Sequence, residues 1–151
     1  MKKFFITVFF AIMIGVLYGK VIFNQYDKEL EEVFSENENI YILQQGVYSS
    51  LDNVEKNTTK IDYFIIERDD KYYRVYIGIT KDKDNINKIR EIYTKDGNDI
   101  YVREVNNNNM AFLEVLGQYD LLLEKSIEKN QILQIQKQVL AKYEELVIRN
   151  E

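Results

Sequence analysis

The sequence predicts an α+β chain: an N-terminal transmembrane helix, a ferredoxin-like βαββαβ domain with a four-stranded antiparallel sheet, and a C-terminal helical hairpin. Three observations predict it. An unbroken apolar run follows a cationic leader, a near-repeat in the middle twice changes its apolar period from two to three or four, and the C-terminal stretch is apolar at helical spacing. The boundaries fall at 1–23 for the membrane segment, 24–38 for a juxtamembrane spacer, 39–105 for the sheet domain and 106–151 for the C-terminal helices.

Met1-Lys2-Lys3 precedes the run Phe4 to Tyr18, and Gly19, Lys20, Val21, Ile22 and Phe23 extend it. Counted to Phe23, the segment reaches the ~20 residues that cross a hydrocarbon core, with Lys20 snorkelling to the far interface. A cleaved signal peptide is the alternative, but Leu17 stands where a small residue should precede Gly19, so an uncleaved signal anchor is the reading. Lys2 and Lys3 favour the cytoplasmic side, which makes the expected localisation a single-pass cell-membrane protein with an extracytoplasmic C-terminal domain. Asn24 to Asn39 is acidic, and Leu30, Val33 and Phe34 offer at most a short helical face.

The near-repeat aligns Tyr41-Ile-Leu-Gln-Gln-Gly-Val-Tyr48 with Tyr73-Arg-Val-Tyr-Ile-Gly-Ile-Thr80, and Asp52-Asn53 with Asp84-Asn85. Each copy runs as a strand up to a glycine and then starts a helix. Ser50 and Asp82 stand as N-caps, and Asp52 and Asp84 complement the macrodipole in the first turn. Ile86, Ile89, Ile92 and Tyr93 give the second helix its stripe, whereas Asn57-Thr58-Thr59 cuts the first one short. Further strands follow at Tyr63 to Glu67 and Asp99 to Glu104, with turns at Asp69-Asp70 and Asp96-Gly97-Asn98. Two such halves with right-handed crossovers place both helices on one face of the sheet and leave the other without helices.

Alternation assigns the side chains. Tyr73, Val75 and Ile77 share the helix-covered side with Tyr41 and Leu43, and the open side shows Gln44, Arg74, Tyr76, Tyr101 and Arg103. Beyond Asn106-Asn107-Asn108-Asn109, one helix is expected from Met110, Leu113, Leu116, Gly117, Leu121 and Leu123. A second follows from Ile132, Ile135, Val139, Tyr143 and Leu146, with the turn between Ser126 and Asn130. A hairpin packing back on the sheet domain or on itself is favoured over a coiled-coil or partner-docking arm.

Composition narrows the function classes. The 151 residues contain no His, Cys, Pro or Trp, so no zinc-thiolate site, disulfide, thiol nucleophile or His-based triad is open to the chain. No metal and no cofactor are expected. Ile, Lys, Asn and Tyr exceed ordinary usage, which reads as an A/T-rich genome. With 20 Lys+Arg against 25 Asp+Glu there is no basic stripe for nucleic acid, and the third strand lacks an RNP1 pattern. Acidic pairs are plentiful but form no recognisable glycosidase constellation, so an enzyme is not expected.

Taken together, Ile40-Tyr-Ile-Leu-Gln-Gln-Gly-Val-Tyr-Ser-Ser-Leu-Asp-Asn-Val54, Tyr73-Arg-Val-Tyr-Ile-Gly-Ile-Thr-Lys-Asp-Lys-Asp-Asn-Ile86 and Gly97-Asn-Asp-Ile-Tyr-Val102 resemble the SPOR domain, the sporulation-related repeat of bacterial envelope proteins. The resemblance spans residues 39 to 105. It implies binding of peptidoglycan glycan strands stripped of stem peptides, on the open sheet face, in division or sporulation. By position Gln44 matches the family's strand-one glutamine, Tyr48 its aromatic, and Tyr73, Arg74 and Gly78 its second motif. Val47 stands in place of a small Ser and Thr80 in place of an aromatic. The expected glycan-binding set is thus Gln44, Tyr48, Arg74, Tyr76, Tyr101 and Arg103. The expected partners are glycan strands, the membrane through the N-terminal helix, and an envelope protein or a second copy through the C-terminal helices. The alternative function is a membrane-tethered protein–protein interaction module that has lost sugar binding.

Overall fold

In the computed structural model, which describes residues 38–150, chain order runs β1 (Glu38–Tyr48), α1 (Leu51–Asn57), β2 (Ile65–Asp69), β3 (Tyr72–Thr80), α2 (Lys83–Lys95), β4 (Tyr101–Asn107), α3 (Met110–Lys125) and α4 (Lys129–Leu146), ending in a 3₁₀ turn at Ile148–Asn150. The apolar N-terminal run and most of the expected spacer lie outside the described residues. Among the described residues no helix is long and apolar enough to cross a membrane.

The four strands form one antiparallel sheet in the order β2-β3-β1-β4, the order and connectivity of the expected βαββαβ arrangement. Local signals set the ends. Ser50 accepts from the Asn53 amide and Asp82 from the Asp84 amide, so both N-caps lie where short oxygen-bearing side chains satisfy first-turn donors. Asp70 turns the β2-β3 hairpin at φ 47°, a conformation that aspartate tolerates better than most residues. β4 runs further than expected, into the asparagines: Asn106 and Asn107 pair with Asn39 and Glu38. The expected 105/106 boundary therefore falls inside a strand. Asn109 caps α3 by accepting from the Phe112 amide at 3.0 Å and donates to the Leu146 carbonyl at 2.7 Å, tying the start of one helix to the end of the other.

Two register shifts in the β1-β3 ladder leave Ile77 and Gln45 without opposite numbers. Each is a bulge, and each reverses which side of the sheet the following residues occupy. Leu43, Val75 and Ile77 accordingly pack with Val54, Ile89, Ile92 and Tyr93 beneath α1 and α2. Ile79, beyond its bulge, turns to the opposite face beside Ile40, Ile42, Ile65 and Tyr76.

That opposite face is not open. The α3–α4 hairpin seats Phe112, Leu113, Leu116, Val139, Leu140 and Tyr143 on it, corrected from an expectation of a helix-free surface. The physical reason is the row of isoleucines: a face presenting Ile40, Ile42, Ile65 and Ile79 has more apolar area than water will leave uncovered. The hairpin reaches past β2, which pairs with β3 only as far as Tyr76. There the buried Gln136 side chain accepts from the Ile79 amide at 2.8 Å, satisfying a donor that no strand serves. A second fastening is Asp120 of α3, which accepts from Thr80 Oγ1 at 2.5 Å and the Lys81 amide at 2.8 Å. Burial pushes the Asp120 carboxyl above the ordinary range against the pull of those donors.

Candidate functional site

Covering the apolar half of the face leaves the other half, toward the N-terminal end of β4, as a polar strip. Cross-strand partners share a side, so the ladders Gln44↔Tyr76, Gln44↔Tyr101, Val47↔Arg74, Ile42↔Arg103 and Glu67↔Arg74 place Gln44, Arg74, Tyr76, Tyr101 and Arg103 on one face, as alternation predicted. Tyr48 does not join them. The bulge at Gln45 turns it to the α1/α2 side, where its ring lies over Gly46 and its hydroxyl donates to Gln45 Oε1 at 2.7 Å. A Cβ at Gly46 would come within 2.6 Å of that hydroxyl oxygen, so the close approach of the ring requires glycine there.

The members of the strip differ sharply in access. Tyr76 is 1% exposed and Gln44 6%, whereas Tyr101 is 64% exposed. Tyr76 sits at the border between core and strip. Its ring meets Tyr143 edge-on at 6.5 Å, its hydroxyl donates to the Glu67 carboxylate, and the same oxygen accepts from Arg103 Nη1 at 2.9 Å. Burial, and then the bond to Glu67, push the Tyr76 hydroxyl far above its ordinary pKa, so it stays a neutral donor. Arg74 is held by Asp69 at 2.7 Å, and that bond raises its already high pKa. Arg103 has no such tie: among the described residues no carboxylate lies within ion-pair distance of it. Gln44 Oε1 is buried without a hydrogen-bond partner.

Two concavities border the strip, the second of them lined by the exposed Tyr101. One, of about 310 Å³, lies between the strip and the hairpin, with Tyr76, Glu67 and Arg103 on its polar wall, Ile42 and Val105 below, and the Asn106–Asn109 run along its rim. The other is a wide polar groove of about 480 Å³ at the end of the sheet, where Tyr48 and Tyr101 meet Gln45, Asn57, Asn98 and Asp99. Tyr48 thus shares a surface with Tyr101 after all, by way of the groove. Glu67 and the asparagine rim are the functional candidates that sequence reading missed. Glu67 was legible, since it stands two residues beyond Ile65 and alternation places it on the strip.

A guanidinium with donors to spare, a carboxylate, side-chain amides and flat tyrosine bodies suit a polyhydroxyl ligand with apolar C–H patches. No protein-family model matches the chain, no curated protein matches it, and no solved structure matches it.

Proposed function

We propose that the chain is a non-catalytic recognition protein of the bacterial envelope, tethered by its apolar N-terminal segment, whose SPOR-like domain binds peptidoglycan glycan strands. The ferredoxin-like arrangement serves as scaffold. The strand lies along a track from the Tyr48/Tyr101 groove, over Tyr101, to the cavity beside Arg103. The observation that carries this reading is Arg103, a cation without a carboxylate partner among the described residues, at a cavity of about 310 Å³ beside a tyrosine that is 64% exposed. A guanidinium without a carboxylate partner among the described residues, against an amide-rimmed wall, has donors beyond the one given to Tyr76 for sugar hydroxyl and acetamido oxygens, and Tyr101 offers a ring face for stacking. Tyr76 and Gln44 act from beneath. Tyr76 holds Arg103 by its hydroxyl oxygen from the cavity wall, and Gln44, 6% exposed, stays beneath the surface. Tethering and the repetition of sites along the wall supply avidity to a modest single-site affinity.

The test is retention of the full chain, in detergent, on intact sacculi and on sacculi stripped of stem peptides by an amidase. Stripped material should retain it better. Arg103→Ala and Tyr101→Ala should each weaken retention by about ten-fold, equivalent to about 1.4 kcal/mol. Equal and negligible retention on both materials would remove the reading in favour of a protein–protein module that has lost sugar binding.

A further inference from the structure

β3 runs past the strand that pairs with its outer edge. β2 reaches only as far as Tyr76, so side chains from two helices serve the edge groups beyond it. Tyr93 of α2 donates its hydroxyl to the Ile77 carbonyl at 3.3 Å, and Gln136 of α4 accepts from the Ile79 amide at 2.8 Å. A cavity of about 190 Å³ lies between these helices, with both side chains on its wall and Ile77, Ile92, Leu133 and Leu140 as its apolar lining.

Gln136 is 2% exposed, and it meets only half of its hydrogen-bonding capacity. Its Oε1 is committed to the Ile79 amide, whereas its Nε2 donates to no group among the described residues. A buried amide donor without an acceptor is unfavourable, and a ligand oxygen in the cavity would satisfy it. Burial, and then Asp62, push the Tyr93 hydroxyl up to about 12, so it adds no charge to the wall. The charged lining residues are Lys60, Lys129, Lys137, Asp62 and Asp96. Lys129 and Asp96 neutralise each other across 3.0 Å. Lys137 lies 5.3 Å from the centre of the Tyr63 ring, a contact that leaves its charge intact. Neither Lys60 nor Asp62 has an ion-pair partner among the described residues. Two lysines then stand against one aspartate, which leaves the lining one positive charge in surplus. A zwitterion would leave that surplus unmatched, and a cation would add to it. As for size, an apolar cavity of ~150 Å³ accommodates benzene, so about 190 Å³ holds such a ring with a carboxylate attached.

We propose that the cavity between α2 and α4 binds a small apolar monocarboxylate, its body against Ile92, Leu133 and Leu140 and one carboxylate oxygen accepting from Gln136 Nε2, with the exposed Lys60 and Lys137 supplying the opposite charge. The inference does not rest on the glycan reading. Lys60 and Asp96 also line the Tyr48/Tyr101 groove, but Gln136 and Leu133 do not.

Titration of the isotope-labelled full chain in detergent with sodium benzoate, against matched sodium chloride, tests the proposal by NMR. The Gln136 side-chain amide and the Ile79 backbone amide should shift saturably, with dissociation near ~1 mM for a ligand of about nine non-hydrogen atoms. Benzamide keeps the ring and an acceptor but not the charge, and should bind about five-fold more weakly. Replacing both Lys60→Gln and Lys137→Gln should remove that preference. Leu133→Trp, at a half-buried position, fills the cavity and should abolish the shifts while urea unfolding stays cooperative. Absence of saturable shifts up to ~20 mM benzoate overturns the proposal, as do shifts that Leu133→Trp leaves in place. Benzamide binding as tightly as benzoate overturns the assignment to a carboxylate. Sacculus retention, read at Tyr101 and Arg103, reports on the glycan reading separately.

Discussion

Ending the chain after Asn109 asks whether the hairpin is a cover over a finished domain or part of the domain's core. Ile40, Ile42, Ile65, Tyr76 and Ile79 are each no more than 4% exposed, and the side of the sheet they occupy is closed by α3 and α4. Returning five such side chains to water forfeits about 1.5–3 kcal/mol each, on the order of 8–15 kcal/mol on the sheet side alone. A whole domain has only about 5–15 kcal/mol of net stability. Truncation also leaves the Ile79 amide without Gln136 and the Thr80 hydroxyl and Lys81 amide without Asp120. The shortened chain should therefore show neither a dispersed amide NMR spectrum nor a cooperative urea transition. Phe112→Ala in the intact chain, removing a ring that is 0% exposed and packs edge-on to Tyr143 at 5.1 Å, should cost about 3–5 kcal/mol in the same titration. A truncated chain that unfolds cooperatively with native-like dispersion would refute the reasoning. The hairpin would then be a detachable cover, and the buried Tyr76 and Gln44 would again be available to a ligand.

Two further outcomes bear on how the hairpin is fastened. Asp120→Ala should cost about 2–4 kcal/mol, because it removes the acceptor of the Thr80 hydroxyl, the Lys81 amide and the Asn85 side-chain amide, and Asp120→Asn should cost less because one acceptor survives. The raised carboxyl pKa gives the comparison a pH signature. A folded value above the ordinary 3.8 means that the Asp120 contribution is full below 3.8 and is lost as pH climbs from there through the folded value, so the margin of wild type over Asp120→Asn should shrink across that interval and level off above it. A margin that widens with pH in urea titrations would contradict the assignment. Gln136→Leu should cost about 1–3 kcal/mol and speed hydrogen exchange at the Ile79 amide specifically, and an unchanged exchange rate there would mean that the amide has another acceptor.

Much of the sheet was legible because its signals are local. The caps at Ser50 and Asp82 need only a short polar side chain before an apolar run, and the period change from two to three or four marks each strand-to-helix passage. Register was less legible. Plain alternation carries Ile79 to the side of Ile77 and Tyr48 to the side of Gln44, and both end on the reverse face because a bulge intervenes at Ile77 and at Gln45. A bulge depends on how two strands distant in sequence fit together, and no window along one strand contains that information.

Coverage of the second face had a signal that polar neighbours masked. Arg74, Tyr101 and Arg103 mark one half of that face as a surface, while Ile40, Ile42 and Ile65 mark the other half as core, and the two sets interleave along the same strands. Tyr76 is where they meet, with its ring against Tyr143 in the core and its hydroxyl between Glu67 and Arg103. An amphipathic side chain at such a border satisfies both environments at once, and alternation on a face expected to be open placed it among the ligand contacts. Its burial gives its ring to the core and leaves its hydroxyl to Glu67 and Arg103. The hairpin therefore relocates the candidate site: with the apolar half occupied, what this face leaves open is the strip that ends at Arg103 and the groove beyond Tyr101. The asparagine run between β4 and α3 reads the same way: Asn109 caps and ties helices, while its neighbours rim the cavity that the tie creates.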